Sequence, residues 1–173
     1  MKLEKIALLL PRYLLIAESM STDTISSLRE VLVSESEPLA RRFRALFSLK
    51  HVACLNPPTE QTLPAIEAIA AAFSSKSALL KHEVAYCLGQ TRNADAVPFL
   101  QSALADPAED PMCRHEAAEA LGALGDKGSL EMLRKMKEDE KEEEIVRETC
   151  DIAIDRILWE TGSERQQEKL KPR

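Results

Sequence analysis

Apolar residues recur at helical spacing along most of the chain, in segments bounded by Asp, Ser, Asn or Pro. Four of these segments align with one another: RRFRALFSLK (41–50), LKHEVAYCLGQ (80–90), CRHEAAEALGAL (113–124) and VRETCDIAIDRI (146–157). A basic residue occupies the same register in each copy, at Arg42, Lys81, Arg114 and Arg147, with spacings of 39, 33 and 33 residues. A period of this length is typical of repeat proteins built from helical pairs.

A second amphipathic segment precedes each of these four helices, at about residues 23–33, 61–74, 94–105 and 126–137. Turn and capping residues separate the segments, as in NPPTEQ and DPAEDP. The acidic run KEDEKEEE (137–144) is interpreted as a solvated loop that leads into the last helix. The pattern therefore predicts an all-α protein, an α-solenoid of four HEAT-type helical hairpins over residues 23–160.

Two flanking segments lie outside the predicted repeats. Residues 1–22 are apolar and look superficially like a signal peptide, but Glu4 stands in the basic region and Pro11 interrupts the apolar run. We interpret this segment as an apolar capping helix or as a stretch foreign to the domain. Residues 161–173 are interpreted as a charged tail or linker.

Composition narrows the class of protein further. At 173 residues, with 45% apolar and only 4% aromatic residues, the chain is expected to form one helical globular domain. The formal net charge of −6 argues against nucleic-acid binding, which needs a basic surface. No apolar run reaches the length of a membrane span. The four cysteines show no CxxC spacing, so we expect reduced, packed thiols in a cytoplasmic protein.

Two central repeats carry the same dipeptide, His82-Glu83 and His115-Glu116, inside otherwise apolar helices. At the histidine position the outer repeats have Phe43 and Glu148, so the repeat fold itself does not require His-Glu. A lone histidine in a helix is more often a structural residue than a ligand. Repetition of the pair at equivalent positions of adjacent helices favours a shared site instead.

Equivalent positions in stacked helices point the same way, and packed helices lie about 8–10 Å apart. His82 and His115 can therefore converge on one metal ion. Two histidines and a carboxylate suit non-haem iron with open coordination positions; zinc is the alternative, although no thiolate lies at ligand spacing. Adjacent helical residues diverge by about 100°. Glu83 and Glu116 would then point to one side, toward a second metal held by another copy of the motif, unless side-chain flexibility brings one of them round.

Two further residues are weak candidates for orienting the histidine rings. Glu119 follows His115 by four residues and Tyr86 follows His82 by four, so each shares its histidine's helix face. A solvent-facing glutamate and a packed tyrosine are the alternative interpretation. For the whole chain, the alternative function is a non-catalytic HEAT-repeat scaffold that binds a protein partner, and metal binding would distinguish the two.

These segments resemble the deoxyhypusine hydroxylase family of HEAT-repeat di-iron monooxygenases. The similarity runs from about residue 24 to 160 and is carried by RRFRALFSLK, SALLKHEVAYCLGQ, AVPFLQSAL, DPMCRHEAAEALGALGD and VRETCDIAIDRILWE. The resemblance implies an enzyme that hydroxylates the deoxyhypusine side chain of a translation factor. It also implies Fe(II), with two irons per complete site, and molecular oxygen as co-substrate.

The resemblance further implies roles for single residues. His82 and His115 would be iron ligands, Glu83 would be a ligand of an iron held mainly by an opposite half, and Glu116 would be a ligand or a close support. The family's usual chain has two four-repeat halves, whereas this sequence carries one set of repeats and looks most like the N-terminal half. A second HEAT half, in cis or as a homodimer, is therefore an expected partner. A mononuclear iron oxygenase remains a further alternative.

Overall fold

The computed structural model of the chain describes residues 22–162. Within that range it contains eight α-helices and no β-strand. The helices are α1 (Thr22–Val33), α2 (Leu39–Ala53), α3 (Thr62–Ala70), α4 (Ala78–Gln90), α5 (Val97–Ala105), α6 (Pro111–Leu124), α7 (Leu130–Glu138) and α8 (Glu144–Thr161). They form four consecutive hairpins, α1–α2, α3–α4, α5–α6 and α7–α8, which confirms the predicted all-α solenoid.

Every predicted segment corresponds to a helix, and the differences lie at the segment ends. Segment 61–74 ends in a 3₁₀ turn, and segments 94–105 and 126–137 begin with one. The turn at 94–96 is started by Asn93, whose Oδ1 accepts a hydrogen bond from the Asp95 N–H. Helix α7 extends to Glu138 and so includes the first two residues of the acidic run, which was predicted to be a loop. The two predicted flanking segments lie outside the described residues, apart from Thr22 at the start of α1 and residues 161 and 162 at and just after the end of α8.

The second helices of the hairpins stack side by side, with α6 packed along both α4 and α8. Apolar residues from both helical layers form one core, and many of its large side chains, such as Leu88 and Leu121, are fully buried. Small residues bring the second helices unusually close together. A Cβ placed on Gly89 of α4 would lie 2.8 Å from Ala120 Cβ of α6, and one on Gly122 of α6 would lie 2.9 Å from Ala153 Cα of α8.

Helices α4 and α6 start in the same way, which places their histidines at equivalent depths. Ser77 caps α4, its Oγ accepting a hydrogen bond from the Leu80 N–H, and Asp110 caps α6, its Oδ1 accepting from the Met112 N–H. Proline at the first position of α6 adds a backbone already suited to a helix start. Each histidine follows its cap by five residues, so both lie in the second turn.

Between residues 22 and 162, none of the helices has the length and apolar character needed to cross a membrane. The cysteines in this range are all free thiols, and Cys87, Cys113 and Cys150 are buried in the core. Burial raises the pKa of each of these three thiols to about 12, so they are inert packing groups.

Candidate metal centre

His82 on α4 and His115 on α6 lie side by side on one face of the stack. Their ring centroids are 5.6 Å apart, and the ring planes are inclined by 50°. Both side chains are half-buried. The two rings converge as their equivalent positions led us to expect, because α4 and α6 are adjacent, closely packed helices.

Glu116 joins the two histidines. Its Oε2 lies 3.3 Å from His82 Nε2, and its residue is only 7% exposed. One ligand atom from each of His82, His115 and Glu116 lies within 4.8 Å of the others. We call these residues the three-donor group. Of the two glutamates, Glu116 is therefore the one that lies beside the histidines. Its side chain reaches His82 of the preceding second helix, which the close approach of α4 and α6 makes possible.

Glu83 lies outside the three-donor group, although its position in the repeat is equivalent to that of Glu116. Its Oε1 is 3.7 Å from His82 Nδ1, too long for a hydrogen bond. The repeat register explains the difference. Glu116 reaches toward the preceding second helix and finds His82 there, whereas the corresponding residue in front of Glu83 is Phe43 of α2, which offers no polar atom.

Burial makes the charge of Glu116 unfavourable in the metal-free chain. Removal of the carboxylate from water raises its pKa to about 7, and the negative charges of Glu119 and Glu83 act in the same direction. The nearby His115 opposes this shift. A cation at the three-donor group would be the natural counter-charge for such a carboxylate.

The Nδ1 atoms of His82 and His115 are buried and have no hydrogen-bond partner within the part of the chain that the structure describes. An unmade hydrogen bond at a buried polar atom costs about 1–3 kcal/mol, so native structures rarely keep one without a reason. One pair of donors already has suitable spacing, and all three lie within 4.8 Å of one another. Metal–ligand bonds of about 2.0–2.2 Å place neighbouring ligand atoms about 3–3.5 Å apart, close to the 3.3 Å between Glu116 Oε2 and His82 Nε2. The residues therefore fit a metal ion.

The two candidate orienting residues make no bond to the histidines in the structure. Tyr86 is exposed, and its ring faces the Lys50 ammonium, which lies 5.3 Å from the ring centroid. Glu119 is exposed, and the Nδ1 of His115 has no partner. Their proposed orienting role remains a prediction for the metal-bound state.

Apolar side chains that the sequence reasoning overlooked flank the three-donor group. Leu79 and Met112 are both exposed and, together with Ala78, His82, Glu83 and Asp110, they line a cleft of about 310 Å³. The signal was available, because each of the two precedes its histidine by three residues and shares its helix face. On that side, polar ligand candidates border an apolar surface.

Comparisons with known proteins agree with this architecture. A family model described as HEAT repeats matches residues 60–154, more than half of the chain. The chain is 70% identical over 149 residues to the deoxyhypusine hydroxylase of Emericella nidulans, an alignment that covers 86% of this chain and 44% of that protein. It is 72% identical over 151 residues to the deoxyhypusine hydroxylase of Aspergillus niger, covering 87% of this chain and 45% of that one.

A solved structure is similar as well. Human deoxyhypusine hydroxylase, in complex with glycerol, superposes with a TM-score of 0.72 and 39% sequence identity, over 94% of this chain and 50% of that one. The chain thus spans about half the length of the relatives it matches. It belongs to the HEAT-repeat family and matches one half of the deoxyhypusine hydroxylases.

Proposed function

We propose that the chain supplies half of the di-iron site of a deoxyhypusine monooxygenase, the enzyme that hydroxylates the deoxyhypusine side chain of its translation-factor substrate. The observation that carries this proposal is the three-donor group, which lies on the only two repeats with a His-Glu pair. The relatives support it, since those compared are named for this hydroxylation.

The donor set favours iron. Two imidazole nitrogens and one carboxylate oxygen form the ligand type used by non-haem Fe(II) oxygenases, which keep other coordination positions open. When bound, iron supplies the activation of molecular oxygen needed to insert an oxygen atom into a C–H bond. The protein's own contribution is to hold His82, His115 and Glu116 close together and to keep the Glu116 carboxylate away from water.

The position of Glu83 supports a second HEAT unit that faces this one. Its carboxylate is outside the three-donor group, lies beside the apolar cleft, and has no histidine in front of it in its own stack. A second HEAT unit facing this one would bring its own histidines within reach of Glu83. We therefore assign Glu83 to the metal held mainly by that second unit, which is present in cis or as a second copy of the chain.

The substrate side chain is a long aliphatic amine that carries positive charge. The net charge of −6 on this chain is compatible with such a substrate on a basic protein. Exposed apolar side chains beside the three-donor group, Leu79 and Met112, suit an aliphatic chain or the facing half equally well.

The direct test is the iron content of the purified chain after anaerobic incubation with Fe(II) and removal of excess metal. Close to one iron per chain is expected, measured by elemental analysis. His82→Ala and His115→Ala should each remove it while the helical circular dichroism signal is retained. His51→Ala is the matched control, because this third histidine is exposed and outside the group, and it should leave the iron content unchanged. Iron content that survives both His82→Ala and His115→Ala would refute the assignment. A wild type that stays iron-free even when mixed with a second HEAT half would leave the scaffold as the better function.

A further inference from the structure

We propose that the part-buried ion pair Lys81–Glu109 is a positioning element for the three-donor group, an inference that rests on the proposed metal binding. The Lys81 Nζ donates a hydrogen bond to Glu109 Oε1, and the two side chains are only 15% and 8% exposed. Lys81 directly precedes His82 on α4, while Glu109 lies in the loop in front of α6. The pair therefore connects the two helices that carry the group.

The connection continues from Glu109 into the start of α6. The same Glu109 Oε1 accepts a hydrogen bond of 2.7 Å from the backbone N–H of Asp110, the N-cap residue of α6. Asp110 in turn precedes His115 by five residues and Glu116 by six. A chain of contacts thus runs from the residue beside His82 to the cap that sets where His115 and Glu116 lie along α6.

The same arrangement occurs at the next junction of the stack, between α6 and α8. Arg114 Nη1 and Nη2 donate to the two carboxylate oxygens of Glu142, whose Oε1 also accepts from the N–H of Glu143, the N-cap residue of α8. These residues repeat Lys81, Glu109 and Asp110 with a spacing of 33. This second pair ties α6 to α8, and α8 has no His-Glu dipeptide.

The junction at the metal group differs in its basic residue. Arg114 also donates from Nε to the backbone oxygen of Leu104 at 3.0 Å and from Nη2 to Met136 Sδ at 3.8 Å, in addition to its two bonds to Glu142. Lysine has one nitrogen and cannot make that forked contact. At this end the ion pair between the α4 side and the α6 cap is therefore a single contact, whereas the α6–α8 junction has a bidentate pair and a carbonyl contact.

This arrangement gives a specific reason why Lys81–Glu109 influences metal binding. The 3.3 Å contact between His82 Nε2 and Glu116 Oε2 spans α4 and α6, so a small shift of one helix along the other opens it. Metal–ligand distances in a well-formed site lie within about 0.2 Å of their ideal values, so donors that move apart hold the ion less tightly. A shift between α6 and α8 leaves all three donors in place, because none of them is on α8.

The test compares Glu109→Gln with its matched control Glu142→Gln in the 173-residue chain, using Co(II) alone as a spectroscopic probe. Titration followed by the visible d–d bands gives the affinity, and thermal unfolding gives the stability of each variant. Glu109→Gln should weaken Co(II) binding about 10–100-fold, the range typical for residues that orient metal ligands, and should change the d–d bands at saturation. Glu142→Gln should lower the unfolding temperature but leave the Co(II) affinity and the bands unchanged.

Lys81 provides a second comparison. Lys81→Arg keeps the positive charge and should retain Co(II) affinity, whereas Lys81→Gln should lose it to the same extent as Glu109→Gln. Unchanged affinity in Glu109→Gln, or an equal loss in Glu142→Gln, would overturn the positioning role while leaving the metal site intact. Absence of Co(II) binding by the wild type would contradict the metal site itself and, with it, the positioning role.

Discussion

Replacement of Gly89 by alanine tests whether the close approach of α4 and α6 is what assembles the three-donor group. The added Cβ would lie 2.8 Å from Ala120 Cβ and 3.1 Å from Ala120 Cα. Non-bonded carbon atoms prefer separations of about 3.5–4.0 Å. The contact is with backbone and with a side chain that has no rotamer to change, so the two helices must separate by about 1 Å.

The expected loss of stability is small because two effects oppose each other. Overpacking of this kind costs about 1–3 kcal/mol, while alanine in place of glycine within a helix stabilises by about 0.8–1 kcal/mol. The net change is a loss of about 0–2 kcal/mol. Metal binding should be more sensitive than stability, because a separation of about 1 Å is large compared with the about 0.2 Å within which metal–ligand distances match their ideal values. Gly89 is two turns from His82, about 10 Å along the same helix, so part of the separation reaches the histidine.

Gly122→Ala is the matched control. Gly122 occupies the equivalent position of α6, and its added Cβ would lie 2.9 Å from Ala153 Cα and 3.0 Å from Ala153 Cβ of α8. The cost in stability should be similar, yet the spacing of α4 and α6 is unaffected. Chemical denaturation and Co(II) titration of both variants should give comparable stability losses, with at least about tenfold weaker metal binding in Gly89→Ala alone. Equal metal affinity in the two variants would refute the reasoning.

Two further predictions concern assembly and pH. Hydroxylation of a deoxyhypusine-containing substrate should require two facing HEAT units, so activity should sediment with a dimer or with an added second half, and full activity in a demonstrably monomeric preparation would contradict the assignment of Glu83. Glu35 accepts hydrogen bonds from Arg42, from Ser75 and from the Lys76 N–H, and these contacts, chiefly that with Arg42, hold the pKa of its carboxyl below the usual 4.5. Because folding lowers that pKa, the stabilisation is present above pH 4.5 and is lost as the pH falls through the lowered pKa. Glu35→Gln should therefore lower the unfolding temperature at pH 7, and the difference from wild type should shrink at acidic pH. A difference that does not change with pH would rule out this origin.

The features that follow from local sequence were predictable. The four hairpins depend on apolar residues at helical spacing and on caps such as Ser77 and Asp110, all of which are visible in short stretches. The convergence of His82 and His115 followed from their equivalent positions in adjacent repeats.

Helix geometry alone did not distinguish the two glutamates, although the family resemblance implied different roles for them, because their positions depend on distances between helices. The rotation of about 100° between neighbouring helical residues predicts the same direction for Glu83 and Glu116, relative to the histidine that precedes each of them. The structure separates them, since Glu116 faces His82 across the short α4–α6 spacing set by Gly89 and Ala120, while Glu83 has no such partner. Whether a side chain reaches a neighbouring helix depends on how closely the helices pack, and the residue pattern of one helix does not give that distance.

The part-buried ion pairs could not be recognised in the sequence for a related reason. Lys81 and Glu109, or Arg114 and Glu142, are 28 residues apart in the chain and look like ordinary surface charges in the sequence. Their burial depends on loops of one hairpin folding against the helix of the preceding one. Only the stacked structure shows that each of these two basic residues pairs with the glutamate that precedes the cap of the next second helix.

The backward reach of Glu116 has a consequence for how such a site can originate. A helix with a His-Glu dipeptide supplies its histidine to one group and its glutamate to the helix before it, so a single copy of the repeat holds no complete set of donors. Duplication of the 33-residue unit creates the set at once, at the boundary between the two copies. Loss of either histidine or of Glu116 would then break the set, whereas Glu83, at the leading edge, stays outside it. Tandem duplication of the unit is therefore sufficient to produce both a cluster of three donors and a carboxylate that lies outside it.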